Sequence, residues 1–171
     1  IFTIPSGDGY DLPARWILPP NLDITQKYPV LLQVYGGPNT PIVRYGFPML
    51  SDLYTAQKGI IVLYVDHRGS GLLGRKGQDA MHRNLGKWEI HDYIAAVKWL
   101  KQLSFVDSTQ IGITGGSYGG YITLLAMTAG ADYFTHGVAE YSVTDYRLYD
   151  SIYTERYMDT PEENPDGYDA G

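Results

Sequence analysis

The sequence predicts an α/β fold with a mainly parallel sheet and helices on both faces. Short apolar runs of strand length alternate with segments whose apolar residues recur at helical spacing, the pattern of parallel strands joined by helical crossovers. In addition, a serine bracketed by glycines, Ser117, stands between one of these runs and an apolar helix. In such sheets the loops that follow the strands meet at one edge, where ligands bind.

The elements follow in order along the chain. Residues 1–18 alternate apolar and polar side chains around a Ser-Gly-Asp-Gly turn, which predicts a hairpin. Short runs that are apolar on both faces predict buried strands at 28–35, 60–65, 111–114 and 137–141. Helical spacing predicts helices at 51–58, 88–103 and 118–129. Two further segments are predicted to lack regular structure: a turn at 105–107 and a loop at 161–171.

Composition excludes several classes of function. With 44% hydrophobic and 19% charged residues in 171, the chain is globular and large enough for a sizeable core. A net charge of −6 without a basic cluster argues against a nucleic-acid partner. The absence of cysteine excludes disulfides and thiolate chemistry, and the four histidines have no zinc-site spacing, so no metal or cofactor is expected. No apolar run approaches the roughly 18 residues of a membrane helix.

Ser117 lies in the pattern Gly115-x-Ser117-x-Gly119 between a predicted strand and a predicted helix. A nucleophilic serine on such a turn has a strained backbone, which requires small residues two positions before and after it. The turn also places the hydroxyl near the helix N-terminus, where developing negative charge is stabilised. This context predicts the nucleophile elbow of an α/β-hydrolase fold; the alternatives are a phosphate-binding loop or tight packing alone.

A competing motif occupies residues 69–74, which match the dinucleotide fingerprint G-x-G-x-x-G after a strand. That motif must open directly into a helix whose N-terminus meets the pyrophosphate. Here the next predicted helix starts only beyond Gly86, so we expect no dinucleotide site.

Four segments together resemble a known family. They are Tyr35-Gly-Gly-Pro38, Asp66-x-Arg68-Gly-Ser-Gly71, Gly116-Ser-Tyr-Gly-Gly-Tyr121 and Tyr149-Asp-Ser-Ile-Tyr-Thr-Glu-Arg-Tyr-Met158. In this order they resemble the hydrolase domain of the prolyl oligopeptidase family of serine peptidases. The last segment resembles the dipeptidyl peptidase IV branch in particular. The resemblance extends from the opening hairpin to about Met158.

The resemblance implies roles for individual residues. Ser117 would be the acylated nucleophile, with the Tyr35 hydroxyl and the Tyr118 amide binding the oxyanion. A pocket for a proline ring would be lined by Tyr118, Val143, Tyr146, Tyr149 and Tyr153. The chain has sixteen tyrosines, and the helical spacing of the last three pocket tyrosines predicts one short helix with a flat aromatic wall. The alternative for these tyrosines is core packing.

Three further expectations concern the same site. Asp66 and Arg68 are expected to brace the loops at the sheet edge through charge-assisted hydrogen bonds. Gly116 and Tyr146 stand where the dipeptidyl peptidase IV branch usually or often has tryptophan, which leaves the shape of the pocket open. Both differences keep the chemistry and leave the substrate preference open.

The catalytic acid and base are not evident in the chain. In α/β-hydrolases the serine is followed by the acid and then by the histidine. After Ser117 the sequence has only His136, directly before a strand, and aspartates that come too early in the fold. We therefore expect a domain truncated before its last strands, with the acid and the histidine outside residues 1–171. The resemblance implies that the family's N-terminal propeller also lies outside these residues. An alternative base is His67, at the end of a neighbouring strand.

The functional expectation is a serine exopeptidase that releases N-terminal dipeptides after Pro or Ala, incomplete in this chain and inactive alone. Alternatives are an acylaminoacyl-peptidase, an endopeptidase or an esterase on the same fold, or a non-catalytic interaction protein. The resemblance further implies a peptide substrate with Pro or Ala at its second position and a homodimer of the full-length protein. An exported or periplasmic location rests on the resemblance only.

Overall fold

Six strands form one mixed sheet in the computed structural model, which describes residues 1–171. The strands are β1 (Phe2–Pro5), β2 (Asp11–Ile17), β3 (Tyr28–Gln33), β4 (Ile61–Val65), β5 (Val106–Gly116) and β6 (His136–Glu140). Their order across the sheet is β1-β2-β4-β3-β5-β6. Strands β1 and β2 form an antiparallel hairpin, and β2 also pairs antiparallel with β4. Strands β4, β3, β5 and β6 run parallel to one another. The predicted α/β fold with a mainly parallel sheet is confirmed.

Helices cover both faces of this sheet. They are α1 (Leu50–Gln57), α2 (Gly74–Asp79), α3 (Lys87–Leu100), α4 (Tyr118–Thr128), α5 (Ser151–Met158) and α6 (Pro165–Ala170). On one face Ala56 of α1 packs against Val62, whereas the strand neighbours Ile61 and Leu63 belong to the main core with α3 and α4. Side chains alternate across a strand, so α1 lies opposite α3 and α4. The longest helix, α3, has 14 residues, and no helix of the structure is suited to span a membrane.

Three loops with unusual chemistry begin in one row at the sheet edge. Gln33 of β3 is paired with Tyr64 of β4 and with Thr114 of β5. Since these strands are parallel, the loops that start at Tyr35, Asp66 and Gly116 leave the sheet side by side. This arrangement confirms the predicted edge.

Strand β6 forms as predicted, but the expectation that it is buried was wrong: all five of its residues are exposed, since it is the edge strand of the sheet. Outside the site, three segments also differ from the sequence prediction in their secondary structure. Strand β5 already begins at Val106, in the predicted turn, because Tyr28 at the start of β3 offers it a parallel partner. Helix α6 occupies part of the predicted loop, where Asn164 caps it by accepting from the Gly167 amide and Pro165 is its first residue.

The third difference concerns the dinucleotide motif. Helix α2 begins at Gly74, so the expectation that no helix follows this motif was wrong. A methyl group on Gly77 of α2 would collide with the carbonyl of Arg68, which shows that α2 depends on close tertiary packing. Gly69 and Ser70 of the motif are buried, and a phosphate-binding loop needs accessible amides. The burial of these two residues argues against a phosphate-binding role for this segment.

Buried charges brace the edge, as predicted for Asp66 and Arg68. The Asp66 carboxylate accepts hydrogen bonds from the amides of Ile42 at 2.8 Å and Val43 at 2.9 Å. This fixes the long loop after β3 against the end of β4. Burial raises the pKa of Asp66, and the two amide bonds oppose that rise.

Arg68 joins three parts of the chain. Its guanidinium lies 2.6 Å from the carboxylate of Asp92 on α3 and 2.9 Å from that of Asp8 in the hairpin turn. The rings of Tyr10 and Trp88 lie on it, with their centroids 4.4 and 4.3 Å from Cζ. Arg68 is 3% exposed and Asp92 is fully buried, so the guanidinium compensates the buried carboxylate of Asp92 while Asp8 provides Arg68 with a second partner.

His67 is also buried, directly after Asp66. Its Nδ1 accepts from the amide of Gly69 at 3.2 Å, which caps the 3-10 turn Arg68–Ser70. Its ring centroid lies 6.3 Å from that of Tyr93 on α3. Burial lowers the pKa of His67 from 6.5 to about 4, so the folded protein holds it neutral.

Replacing Arg68 tests the buried network. We expect Arg68→Met to lower the free energy of unfolding by about 3–5 kcal/mol, because it leaves Asp92 charged and buried without its partner. Arg75→Met is the control, since Arg75 is 91% exposed and pairs with Asp79 at 3.5 Å; we expect about 0.5 kcal/mol or less. Urea denaturation measures both, and equal losses would contradict the network.

His67 gives a pH-dependent prediction. The unfolded chain protonates this group below pH 6.5, whereas the fold resists protonation down to about pH 4. The unfolded state therefore binds more protons in this window, and the stability present above pH 6.5 is lost as the pH falls through it. We expect His67→Asn, which keeps an acceptor for the Gly69 amide, to lose less stability than the wild type between these pH values.

Urea midpoints at both ends of the window measure this difference. Other titrating groups are common to the two chains, so the comparison isolates His67. His136→Asn, at an exposed position on β6, is the control for the loss of one histidine. A His67→Asn chain that loses as much stability as the wild type would refute the prediction.

Candidate active site

Ser117 is held in a sharp turn between β5 and α4. Its backbone has φ 57° and ψ −118°, a conformation that a residue with a side chain rarely adopts. The Ser117 amide donates to the carbonyl of Glu140 on β6 at 3.0 Å, and its carbonyl accepts from the amides of Gly120 and Tyr121 at 3.0 and 3.1 Å. Bonds to the neighbouring strand and to the first turn of α4 thus maintain the strained turn.

The glycines around Ser117 are required by space. A methyl group on Gly115 or Gly119 would lie 2.5 Å from the carbonyl oxygen of Val34. Since this oxygen belongs to the backbone that continues β3, no side chain at either position fits without moving the sheet. The elbow context predicted from sequence, strand then turn then helix, is confirmed.

Two candidate hydrogen-bond donors for an oxyanion belong to residues that line a cleft together with Ser117. The Tyr118 amide opens α4, and the first amides of a helix have no acceptor within it. The second is the hydroxyl of Tyr35, whose ring centroid lies 6.2 Å from that of Tyr118. Burial raises the pKa of Tyr35, with smaller contributions from Tyr149 and Tyr157, so its hydroxyl stays protonated at neutral pH and remains a donor.

A narrow cleft of about 30 Å³ brings together six of the seven residues predicted for the site. It is lined by Tyr35, Ser117, Tyr118, Val143, Tyr149 and Tyr153. A wider groove of about 340 Å³ shares Ser117, Val143 and Tyr149 with the cleft and is otherwise lined by Tyr141, Ser142, Thr144, Asp145 and Leu148. The cleft and the groove therefore adjoin at Ser117, Val143 and Tyr149.

Tyr146, the seventh predicted residue, lies behind the cleft. It is 4% exposed and packs edge-on against Tyr121, with ring centroids 5.0 Å apart at 81°, and beside Tyr118 at 6.1 Å. The structure thus places Tyr146 as support for the Tyr118 ring, and its direct contact with substrate stays a prediction.

The prediction of one helix with a flat tyrosine wall was wrong. Tyr146 belongs to the 3-10 turn Tyr146–Leu148 and Tyr153 to α5, because Asp145 and Asp150 each cap a separate turn. Successive rings from Tyr146 through Tyr149 to Tyr153 stand at 85° and 86° to each other. The tyrosines form an edge-to-face series, a favourable aromatic geometry. Tyr157, which sequence reasoning did not single out, extends the series at 5.1 Å from Tyr153.

The histidines considered from sequence do not approach the serine. His67 is enclosed beneath the edge by its bond to Gly69 and its packing on Tyr93, and it does not line the cleft or the groove. His136 begins β6, whereas Glu140, at the opposite end of that strand, contacts Ser117. The alternative of His67 as the base therefore receives no support from the geometry.

One group of potential metal ligands occurs in the chain. Asp8, His91 and Asp92 have ligand atoms within 4.8 Å of one another. The Arg68 guanidinium bonds to both aspartates, so a cationic side chain already compensates their charge.

Sequence reasoning also missed Glu89. This residue is fully buried on α3, and its Oε1 accepts hydrogen bonds from the Gly86 amide at 2.9 Å and from the Tyr118 hydroxyl. Burial raises the pKa of Glu89 to about 7, although both hydrogen bonds favour the charged form. The signal in the sequence was an acid three residues after the glycine that starts a helix, a capping arrangement. It does not reveal the contact with Tyr118.

Comparisons with known proteins agree with this geometry. The model of the prolyl oligopeptidase family matches residues 48–170. The chain is 46% identical over 164 residues to "Probable dipeptidyl-aminopeptidase B" of Trichophyton verrucosum, covering 95% of this chain and 18% of that protein. It is 47% identical over 165 residues to the protein of the same name from Aspergillus fumigatus, with the same coverage.

A solved structure extends the likeness to three dimensions. The crystal structure of Porphyromonas gingivalis dipeptidyl peptidase 4 superposes with a TM-score of 0.93 at 42% identity, covering 98% of this chain and 24% of that one. The chain thus spans 18% of the length of the two relatives matched by sequence. With a family model that matches most of its residues, the chain belongs to the prolyl oligopeptidase family of peptidases, on an α/β-hydrolase fold.

Proposed function

We propose that Ser117 is the acylated nucleophile of a serine exopeptidase that releases N-terminal dipeptides with Pro or Ala in the second position. The observation that carries this proposal is the cleft in which Ser117, both candidate oxyanion donors and three further predicted pocket residues meet. The printed names of the relatives, dipeptidyl-aminopeptidase B and dipeptidyl peptidase 4, support it.

The geometry suits acyl transfer. The Ser117 Oγ attacks the scissile carbonyl carbon, and the negative charge that develops on the carbonyl oxygen is bound by the Tyr118 amide and the Tyr35 hydroxyl at the N-terminus of α4. Cleavage of the C–N bond releases the remaining peptide, whose new amino group takes up the proton that the Ser117 hydroxyl gave to the general base, and leaves the dipeptide as an ester on Oγ. Water then hydrolyses the ester, frees the dipeptide and restores the hydroxyl.

The general base is proposed to come from outside this chain. No histidine lines the cleft or the groove, and a serine hydroxyl without an adjacent base is a weak nucleophile. The relatives are much longer, since the chain spans 18% of them. Asp and His on loops after further strands of the same sheet would complete the triad in the order of this fold.

The aromatic lining favours a compact apolar ring next to the serine. Tyr149, Tyr153 and Val143 line the cleft together with Tyr118, of which only 2% is exposed. A pyrrolidine ring is rigid and loses little conformational entropy on binding such surfaces. The cleft of about 30 Å³ holds little more than one water, so Tyr149, which is 44% exposed, must move aside for the ring to enter.

The test requires the chain alone and the extended protein, meaning this chain together with the sequence that flanks it in the full-length protein. We expect the isolated chain to release no chromophore from a glycyl-prolyl chromogenic substrate, because Ser117 lacks its base. The extended protein should cleave this substrate and be labelled at Ser117 by a fluorophosphonate. Mass spectrometry of the labelled peptide measures the site.

Controls separate the proposal from its alternatives. Ser117→Ala in the extended protein should abolish labelling and turnover. An N-acetylated copy of the substrate should remain intact, since an exopeptidase requires the free amino terminus; its cleavage would favour an acylaminoacyl- or endopeptidase. An extended protein that neither cleaves nor is labelled would favour a non-catalytic protein, and turnover by the isolated chain would refute the external base.

Tyr35 offers a test of the oxyanion site. We expect Tyr35→Phe in the extended protein to lower kcat by about 10²- to 10³-fold with little change in KM, because the hydroxyl acts on charge that develops only in the transition state. Tyr28→Phe is the matched control, since Tyr28 lies at the opposite end of β3 and its hydroxyl contacts only the amide of Asp23 among the hydrogen bonds of the structure. Steady-state kinetics distinguish the two, and an unchanged kcat in Tyr35→Phe would remove Tyr35 from the mechanism.

A further inference from the structure

The buried carboxylate of Glu89 connects the first turns of two helices. Its Oε1 accepts from the amide of Gly86, the N-cap of α3, and from the hydroxyl of Tyr118, the first residue of α4, directly after Ser117. Glu89 is fully buried and Tyr118 is 2% exposed. One oxygen atom therefore links the start of a core helix to the residue next to the nucleophile.

Tyr118 is the position where such a link has the greatest effect on the elbow. Gly119 and Gly120 follow it and have no side chains, so Tyr118 is the first residue of α4 that a side-chain contact can hold. Its own amide lies at the open end of the helix and has no helical acceptor. The orientation of that amide consequently depends on how firmly the ring of the same residue is anchored.

The Tyr118 side chain is restrained by neighbouring aromatic rings and by one hydrogen bond from its hydroxyl. Tyr121 and Tyr146 pack on it with centroids at 5.5 and 6.1 Å and restrict it sideways. The hydroxyl donates to Glu89, whose second oxygen, Oε2, has no partner. A buried carboxyl group is costly for the fold unless its hydrogen bonds offset that cost, and the bonds of Glu89 to Gly86 and Tyr118 are therefore the contacts that give it a place in the core.

We infer that Glu89 is a positioning residue for the reaction at Ser117: it holds the Tyr118 ring so that the Tyr118 amide meets the oxyanion. This inference rests on the proposed function of Ser117 and the Tyr118 amide. Glu89 touches neither the serine nor the cleft, and it acts only through Tyr118.

The experiment measures kcat and KM of Glu89→Leu and Glu89→Gln in the extended protein with the glycyl-prolyl substrate. Leucine removes the acceptor, and we expect kcat to fall about 10- to 100-fold, the effect of a small misplacement of a catalytic group. We expect KM to change by about threefold or less, since the oxyanion forms only in the transition state. Glutamine keeps an acceptor oxygen and should recover most of the lost kcat.

Tyr118→Phe provides a second, less disruptive variant, because it removes only the hydroxyl. We expect a loss of kcat like that of Glu89→Leu, and the double variant should lose no more than the larger single effect, as required for one shared interaction. If Glu89→Leu fails to fold, Tyr118→Phe and Glu89→Gln still decide the question.

A matched pair on the other face of the sheet is the control. The Tyr64 hydroxyl donates to the carboxylate of Asp52 on α1 at 2.8 Å, and Asp52 is 3% exposed. Tyr64→Phe and Asp52→Leu remove the same kind of buried contact and should lower stability while leaving kcat unchanged. A loss of kcat in these controls equal to that in Tyr118→Phe would show a general structural effect and overturn the inference.

The remaining outcomes are also decisive. A wild-type extended protein that labels at Ser117, together with Glu89→Leu and Tyr118→Phe variants whose kcat stays within about twofold of it, overturns the positioning role and leaves the proposed function intact. A wild-type extended protein without labelling or turnover overturns both. A selective fall in kcat that glutamine reverses supports the inference.

Discussion

The backbone at Ser117 adopts φ 57° and ψ −118°, which costs on the order of 1–3 kcal/mol for a residue with a side chain. The surrounding structure must hold this turn in place. The Glu140 carbonyl on β6 binds the Ser117 amide, and the Val34 carbonyl leaves no room for side chains at Gly115 or Gly119. The strained turn is therefore maintained by three parallel strands in register, β3, β5 and β6. This turn lifts the hydroxyl of Ser117 clear of the sheet edge.

Buried polar groups then stabilise what surrounds the turn. Asp66 fixes the loop after β3, Arg68 joins the hairpin turn to α3, and Glu89 joins α3 to α4. Each of these groups would be unfavourable in the core by itself, and each is retained with at least one partner from a distant part of the chain. Together they connect the loops and helices around the elbow to the rigid sheet, so a shift in the core is transmitted to the site.

The candidate site draws its groups from both the backbone and the side chains at the sheet edge. The strand ends supply the serine and the Tyr35 hydroxyl, the helix N-terminus supplies the Tyr118 amide, and the segment after β6 supplies the aromatic surfaces. Edge-to-face packing from Tyr121 through Tyr146, Tyr149 and Tyr153 ties these surfaces to the core. The half-exposed Tyr149 is the member of this series that has room to adjust to a ligand.

The sequence alone determined the features that depend on local pattern. Apolar runs, helical spacing and the Gly-x-Ser-x-Gly turn predicted the strands, the main helices and the elbow at Ser117, because period and turn chemistry reside in neighbouring residues. Tertiary structure decided the rest. Tyr146 lies behind the cleft because Asp145 and Asp150 start separate turns. Helix α2 forms where Gly77 fits against Arg68. Glu89 contacts Tyr118, which lies 29 positions later in the sequence. No local pattern encodes this contact, since it exists only when α3 and α4 pack on the same face of the sheet.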